Sequence, residues 1–477
     1  MTNEASPPRI AVLGAGTGGY PAAFFAAERG FDVTLIDERE APGGVCLWEG
    51  CIPSKALLHA AQVLTDAREA AHIGLNFGEP EVDLDRLREW KDREVVRKMT
   101  SGLGQLARGR KVRTVRGRGR FTGRDNLRVA VDGEVTDVGF DYAIIATGSR
   151  PTIPPPLRLE SDRVWDSTAA LELREVPATL LVVGGGYIGL EMATLYAALG
   201  SQVTVVEMTS SLLPGGDPDL VKVLAESVAE RTHEVLLETR VTEMRESGDG
   251  PNGGVEVDLL GNDLDESRTY ARVLIATGRR PNSEELGLET VGVQVNDKGF
   301  IVVDHQRRTA EPSIFAVGDV AGEPMLAHKA THEARVAVEV IAGEPVAWEP
   351  AAIPAVVYTD PEVAWTGLTE TEARRRSIEV ETARFPWNAS GRATTFANPR
   401  GVTKLVIEPG TQRILGVGIA GRGAGELIGE ATLAVEMGAR LDDLRLTIHA
   451  HPTLSETLME AAETFFGTSP HYMSRRR

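Results

Sequence analysis

One pattern occurs twice in this chain, and it leaves few folds open. Arg9 to Leu13 is a short apolar strand that runs into Gly14-Ala15-Gly16-Thr17-Gly18-Gly19. A helix-forming stretch follows from Tyr20 to Arg29. A second strand, Asp32 to Ile36, then ends at Asp37. Leu180 to Val183 opens the second copy, with Gly184, Gly186 and Gly189, a helix carrying Glu191 to Leu199, a strand from Gln202 to Val206, and Glu207. In both copies the acid stands 23 residues after the first glycine. In such a unit the first glycine makes the turn, the second lets the backbone approach a pyrophosphate, and the third (here Gly19 and Gly189) packs helix on strand. The helix start offers free N–H groups and a partial positive charge to phosphates. The acid accepts from ribose hydroxyls. A lone glycine motif is weak evidence, but both strands and the acid complete it here. The equal offsets predict a duplicated α/β fold with two Rossmann-like dinucleotide-binding domains. Asp141 to Gly148 and Ala271 to Gly278 echo one another, each closing on Ala-Thr-Gly.

The only two cysteines, Cys46 and Cys51, follow the first copy directly. Two thiols are half a tetrahedral metal site, and no His or Cys cluster completes it, so no metal is expected. On an undistorted helix, Cα atoms five residues apart lie ~8.6 Å from one another. A disulfide needs about 4.4–6.8 Å. A redox pair here therefore requires a distorted turn, which Gly50 and Pro53 allow. Strained, accessible disulfides tend to be labile or catalytic. A dithiol passes two electrons to nicotinamide best through a flavin, so the first unit is expected to hold FAD. In the second unit, Glu207 followed by Met208, Thr209 and Ser210 favours NAD, because a carboxylate repels a 2′-phosphate.

The remaining stretches fill in the frame. A helix is expected over Ala56 to Ala71, and a long charged one over about Asp83 to Arg108. The arginines from Arg110 to Arg128 read as a solvated strand edge rather than a nucleic-acid patch, since Val112, Val115, Phe121, Leu127 and Val129 still supply buried positions. The net charge of -18 also argues against nucleic acid and anionic membranes as partners. Ser149 to Pro156 is a Pro-rich linker. Beyond Gly343, five strands between Val356 and Ala420, with helices at Thr369 to Arg376 and Gly425 to Met437, predict an antiparallel sheet with no phosphate loop. Met1 to Pro8 shows neither a signal peptide nor a transit peptide, and no run of ~20 apolar residues is present. The expected location is cytoplasmic. Near the end, His449-Ala450-His451-Pro452-Thr453-Leu454-Ser455-Glu456 places Pro452 at a first helical position. Glu456 could hold one ring nitrogen of His451 and leave the other to take a proton, although a His beside a Glu is more often structural.

Taken together, Gly43 to Lys55, Gly184 to Glu191, Ala316 to Asp319, Met325 to Lys329, Phe385 to Trp387 with Ser390 to Arg392, and His449 to Glu456 span nearly the whole chain. In that order they resemble the dihydrolipoamide dehydrogenases of the two-cysteine flavoprotein disulfide reductase family. The resemblance implies a class I pyridine nucleotide-disulfide oxidoreductase with FAD and NAD. Its divisions would be an FAD domain at 1–150, an NAD domain at 151–280, a central domain at 281–347, and a C-terminal α+β dimerisation domain at 348–477. Cys46 would be the interchange thiol, Cys51 the thiol beside the flavin, and Lys55 with Glu191 an ion pair near it. His451 would be the general base, oriented by Glu456, and would complete the site of the other subunit of a homodimer. FAD contacts would include Gly14, Gly16, Gly19, Asp37, Lys55, Gly119, Thr147, Gly148, Ser149, Asp319, Met325, Leu326, Ala327 and His328. NAD contacts would include Gly184, Gly186, Gly189, Glu191, Glu207, Val241 and Gly278.

Two positions depart from the family pattern. Trp48-Glu49 replaces the usual Asn-Val between the cysteines, and a negative Glu49 is expected to raise the thiol pKa values. Tyr187 stands where related reductases carry an aromatic gate, with simple packing as the other reading. The implied activity is reoxidation of protein-bound dihydrolipoamide by NAD⁺, within a 2-oxo acid dehydrogenase complex or glycine cleavage. The partner would be a lipoyl-bearing acyltransferase or lipoyl carrier protein on a separate chain. A mercuric reductase would call for a further C-terminal cysteine pair, and a glutathione-type enzyme for arginines after Val206.

Overall fold

The computed structural model describes residues 6–131, 133–248, 253–262 and 264–473. Most of the Met1 to Pro8 reading therefore lies outside the described residues. The chain gathers into two compact units, Met1–Ala56 with Asp85–Thr152 and Gly278–Glu349, and Leu57–Leu84 with Ile153–Thr277 and Pro350–Arg477. The Pro-rich stretch after Gly148 carries one of the crossings between them, at Thr152.

In the first unit, β1 (Arg9–Leu13) lies at the centre of a five-stranded parallel sheet. It pairs on one side with β2 (Asp32–Asp37) and on the other with Tyr142–Ile145. Ile314–Ala316 and Arg113–Arg116 form the edges. Successive side chains of a strand point to opposite faces. Ile10 and Val12 accordingly pack with Ala22, Ala26, Ala334 and Val338, contributed by α1 (Gly19–Glu28) and the Ala327–Ile341 helix. Ala11 and Leu13 face a second cluster with Phe121, Leu127 and Phe140. A strand buried on both faces must be apolar throughout, which is why β1 and β2 read as continuous hydrophobic runs. Three antiparallel strands, Arg118–Gly123, Asn126–Val131 and Glu134–Gly139, supply the second face. Here the arginines point outward. Arg118, Arg120, Arg124 and Arg128 pair with Glu285, Glu289, Glu311 and Asp137, while Phe121, Leu127 and Val129 are buried. The solvated-edge reading holds.

The second unit repeats the design. Thr179–Val183 lies between Gln202–Val206 and Arg272–Ile275 in another five-stranded parallel sheet. The Tyr187–Leu199 helix connects the first two strands and is stopped by Gly200 in the left-handed conformation. The same unit holds the expected antiparallel sheet, in the order Ala355–Val357, Val363–Gly367, Ile414–Gly421, Gly401–Ile407, Glu381–Pro386. Its core joins Phe385, Trp387, Leu405 and Ile419 to Ile428 and Ala431 of the Ala424–Glu436 helix and Leu458 and Ala461 of the Glu456–Phe466 helix. Among the described residues, no helix is long and apolar enough to cross a membrane.

Two boundaries differ from expectation. The helix expected from Ala56 begins at Cys51 and runs to Glu69. Pro452 is not a first helical residue, because the last helix starts four residues later, at Glu456. The reason is local: the Glu456 carboxylate accepts the N–H of Thr453 (2.7 Å), and the Thr453 hydroxyl bonds the carbonyl of Ala450 (2.7 Å). These bonds fold 450–455 into a turn that competes with helix.

Candidate active site and dinucleotide loops

The two glycine loops are wired alike. Gly14 N–H donates to Ile36 O and Gly184 N–H to Val206 O, both at 2.8 Å. The next N–H in each loop reaches the acid: Ala15 to Asp37 Oδ2 and Gly185 to Glu207 Oε2, both at 2.7 Å. The other oxygen of each acid takes the N–H two residues further on, from Arg39 (2.9 Å) and Thr209 (2.8 Å). Gly14 and Gly184 have φ of +96° and +115°, and a Cβ on either would lie 2.4 Å from the carbonyl of Ala146 or Ala276. Only glycine fits there. A Cβ on Gly19 or Gly189 would lie within 2.0 Å of the first glycine's carbonyl. The middle glycines differ: at Gly186 a Cβ would meet nothing within 4 Å, and at Gly16 only Gly44 Cα at 3.8 Å. Each loop is thus closed on its inner side and open where a pyrophosphate would approach. That shape fits FAD in the first unit and NAD in the second.

The cysteine segment is anchored on the first loop. Gly43 N–H donates to Ala15 O (2.8 Å), and a Cβ on Gly44 would strike Gly16 Cα at 2.4 Å. From that anchor α2 (Gly44–Glu49) carries Cys46, Gly50 interrupts, and α3 (Cys51–Glu69) begins with the second cysteine. A Cβ on Gly50 would sit 2.9 Å from Val45 O and 3.3 Å from Cys46 Cα. The distorted turn is therefore a break between two helices, and it brings the thiols into hydrogen-bonding contact. Both are half-buried. The hydrogen bond to Cys51, followed by burial, pushes the Cys46 thiol far up, while Lys55 pulls the other way. Glu49, expected to raise the thiols, stands beside an arginine. Its carboxylate accepts from the Arg39 guanidinium at 2.7 Å, which offsets the charge.

Around the first loop, Ser149 Oγ donates to Asp319 Oδ2 (2.6 Å), and Thr147 Oγ1 donates to Asn282 O (2.7 Å). Gly119 is buried on its strand, and a Cβ there would press on Leu13. Met325 and Leu326 lead into the Ala327–Ile341 helix, so Ala327 and His328 form its N-terminal turn, where backbone N–H groups lack helical partners. Sequence reasoning missed Arg279 and Asn282. Arg279 donates to Ser149 Oγ and Ser149 O, both at 2.8 Å, and Asn282 bonds both Thr147 O and Gly148 O at 2.9 Å. Their signal was available, since Arg279-Arg-Pro-Asn282 directly follows the second Ala-Thr-Gly. In the second unit Glu191 is buried and accepts from Tyr358 N–H (3.1 Å). Val241 is the second residue of its strand and is buried in the core, Gly278 has open space at its Cβ, and Tyr187 is exposed. Lys55 belongs to the first unit and Glu191 to the second.

The two C-terminal histidines differ sharply. The His449 side chain is buried, and both ring nitrogens are spent, on Thr447 O (3.0 Å) and Glu430 (2.8 Å). His451 is 69% exposed, and among the described residues only its Nδ1 is bonded, to Glu456 Oε1 at 2.9 Å. Burial raises the Glu456 carboxyl, but the Thr453 N–H and His451 outweigh it and hold the group below its usual range. A carboxylate on Nδ1 fixes the tautomer that leaves Nε2 as the acceptor.

Family models for pyridine nucleotide-disulphide oxidoreductase match residues 8–334, and for its dimerisation domain residues 353–462. The chain belongs to the pyridine nucleotide-disulphide oxidoreductase family. It is 48% identical over 461 residues to the dihydrolipoyl dehydrogenase of Vibrio cholerae, covering 96% of each chain. To that of Halobacterium salinarum it is 43% identical over 470 residues, covering 98% of each. Among solved structures it resembles LpdA from Mycobacterium tuberculosis, with TM-score 0.88, 28% identity, and 96% and 99% of the two chains covered. It also resembles the HOCl-induced flavoprotein disulfide reductase RclA from Escherichia coli, with TM-score 0.83, 28% identity, and 95% and 99% covered. Membership makes this chain an oxidoreductase that uses FAD and NAD and carries a dimerisation domain.

Proposed function

We propose that the chain is a dihydrolipoyl dehydrogenase that reoxidises protein-bound dihydrolipoyl groups with NAD⁺. The observation that carries this is the hydrogen-bonded thiol pair across the Gly50 break, anchored on the first glycine loop, in a chain 48% identical to such an enzyme. FAD, when bound, relays an electron pair between the dithiol and NAD⁺. Gly14, Gly16, Gly19, Asp37, Gly119, Thr147 to Ser149, Asp319 and Met325 to His328 would hold it, and the Gly184 loop with Glu207, Val241 and Gly278 would hold NAD. By the resemblance, Lys55 and Glu191 would each lie near the flavin.

In the oxidised enzyme Cys46 and Cys51 form a disulfide. His451 Nε2 takes the proton from one thiol of the incoming dihydrolipoyl group. The resulting thiolate attacks Cys46 Sγ, since exchange requires the thiolate. The Cys46–Cys51 bond breaks, a mixed disulfide forms, and Cys51 leaves as a thiolate. The second substrate thiol loses its proton and attacks its own partner's sulfur. The lipoyl disulfide closes, and Cys46 leaves and is protonated. The contact between the two thiols, which together with burial pushes the Cys46 thiol up, supports these roles.

The base would come from a second copy of the chain, so a homodimer is part of the reading, with 348–477 as the interface. The divisions 1–150, 151–280 and 281–347 would serve FAD, NAD and completion of the FAD site. The partner would be the lipoyl-bearing acyltransferase of a 2-oxo acid dehydrogenase complex, or a lipoyl carrier protein, in the cytoplasm. Purified protein assayed with NAD⁺ and dihydrolipoamide should turn over at least tenfold faster than with NADPH and oxidised glutathione. The reverse order would overturn the reading.

A further inference from the structure

We propose that Glu333, with Lys329 and Arg307, positions Asp319 to hold FAD; this rests on the FAD reading above. Lys329 and Glu333 are four residues apart on the Ala327–Ile341 helix and so share a face. Their side chains are 3% and 0% exposed, and that of Arg307 is 12% exposed. The Glu333 carboxylate takes three donors: the N–H of Gly318 at 2.6 Å, Arg307 Nη1 at 3.0 Å and Lys329 Nζ at 3.2 Å. Lys329 Nζ also donates to Gly318 O (3.2 Å) and Gly322 O (3.0 Å). Both polar backbone groups of Gly318 are thus gripped by side chains of one helix. Gly318 lies flat against that helix, with φ +78° and room for no more than 3.0 Å between an added Cβ and Ala330 Cβ. The next residue is Asp319, which accepts from Ser149 Oγ, itself held by Arg279. The same helix reaches the first glycine loop, where Thr331 Oγ1 donates to Thr17 O at 2.8 Å.

Stability alone does not account for this unit. Three charges are withdrawn from water, and apolar residues of similar volume commonly serve stability as well or better. Arg307 is held at φ +63°, and its Nε is buried without a hydrogen-bond partner among the described residues. Strain and an unmet donor gather where a precise arrangement is needed for function. What they secure here is a fixed Gly318–Asp319 turn facing Ser149.

The test is a double-mutant cycle on FAD affinity, using the full chain stripped of FAD and titrated with FAD by flavin fluorescence. Glu333→Gln removes one charge and keeps the shape. It should weaken FAD binding about 10- to 100-fold, the range for a lost charge-assisted hydrogen bond. In an Asp319→Asn background the same change should add less than twofold, because its effect runs through Asp319. NADH affinity should stay within twofold throughout. Should Glu333→Gln fail to fold by far-ultraviolet circular dichroism, Arg307→Gln replaces it in the cycle, with a smaller single effect and the same coupling. Unchanged FAD affinity in the single variant, or equal losses in both backgrounds, would overturn the proposal. Failure of the unaltered chain to take up FAD would instead refute the functional reading.

Discussion

Glu456→Gln isolates the orientation of the base from the base itself. Glu456 uses both oxygens, one for His451 Nδ1 at 2.9 Å and one for Thr453 N–H at 2.7 Å. Glutamine has a single acceptor oxygen, so one donor must face an amide NH₂. If it is Thr453, the turn that precedes the last helix loosens. If it is His451, the ring loses the partner that fixes its tautomer. Losing a hydrogen bond to a charged group costs about 1.5–3 kcal/mol. At about 1.4 kcal/mol per factor of ten, dihydrolipoamide turnover should fall about 10- to 100-fold. His451→Ala, which removes the proton acceptor, should cost ~10²–10⁴, so the glutamine variant should be the milder of the two. The Glu456 carboxyl is held below its usual range. Its contribution is therefore complete above the ordinary carboxylate pKa of about 4.3 and is lost as pH falls through the lower folded value. The ratio of wild-type to variant rates should be flat from about pH 6 to 8 and narrow only in acid. Steady-state NADH formation measures the loss. NADH-driven reduction of a one-electron acceptor bypasses the thiols and should stay within twofold. A turnover loss below threefold, or an equal loss in both assays, would refute the assignment.

Cys46→Ser should abolish lipoamide turnover while leaving the long-wavelength absorbance between the Cys51 thiolate and bound flavin near native; normal turnover in that variant removes Cys46 from the mechanism. Gly50→Ala must push Val45 O and Cys46 Cα away from the new methyl, which opens the turn and disfavours the disulfide. At about 30 mV per 1.4 kcal/mol for a two-electron couple, a strain of ~1–2 kcal/mol makes the pair more oxidising by roughly 20–40 mV, read by equilibration against a glutathione buffer. Lys404→Met empties a buried cluster in which Lys404, 1% exposed, meets Asp217 (2.9 Å), Asp219 (3.0 Å) and Glu370 (2.7 Å). Removing one partner of a buried pair costs about 3–5 kcal/mol, so the melting temperature at pH 7 should drop by about 3–5 °C. Burial raises the Asp217 carboxyl, but the Thr371 N–H, Lys404 and the Glu370 N–H together set it below its usual range. The stability it contributes is present above the unfolded pKa of about 3.9 and is lost as pH falls through the folded value. The gap between wild type and variant should close in acid, and a gap that widens there would contradict the cluster's role.

Most of the frame was legible because it is local. The glycine loops, their acids and the ends of β1 and β2 follow from spacing and from runs of apolar residues. The antiparallel sheet beyond Gly343 follows from alternation. What was not legible lies where side chains reach partners that spacing does not announce. Pro452 suits a helix start, yet the Thr453 and Glu456 bonds hold that segment in a turn. Glu49 is an isolated charge in the sequence, and nothing in its neighbourhood announces that Arg39 lies beside it. The buried ion clusters around Lys404 and Glu333 were invisible for a related reason. Lys and Glu at helical spacing suggest a solvated surface, and only long-range packing turns that surface inward.

In both nucleotide sites, the acid proposed to meet the ribose is also the peg on which its own loop hangs, through Ala15 in one and Gly185 in the other. Coenzyme preference and loop architecture are therefore inherited as one piece. An engineer who removes Glu207 to admit a phosphorylated dinucleotide also strands an inward-facing amide and the chain two residues on. Retargeting this enzyme calls for transplanting the whole hairpin of backbone, and drift by single exchanges meets a barrier at the first step.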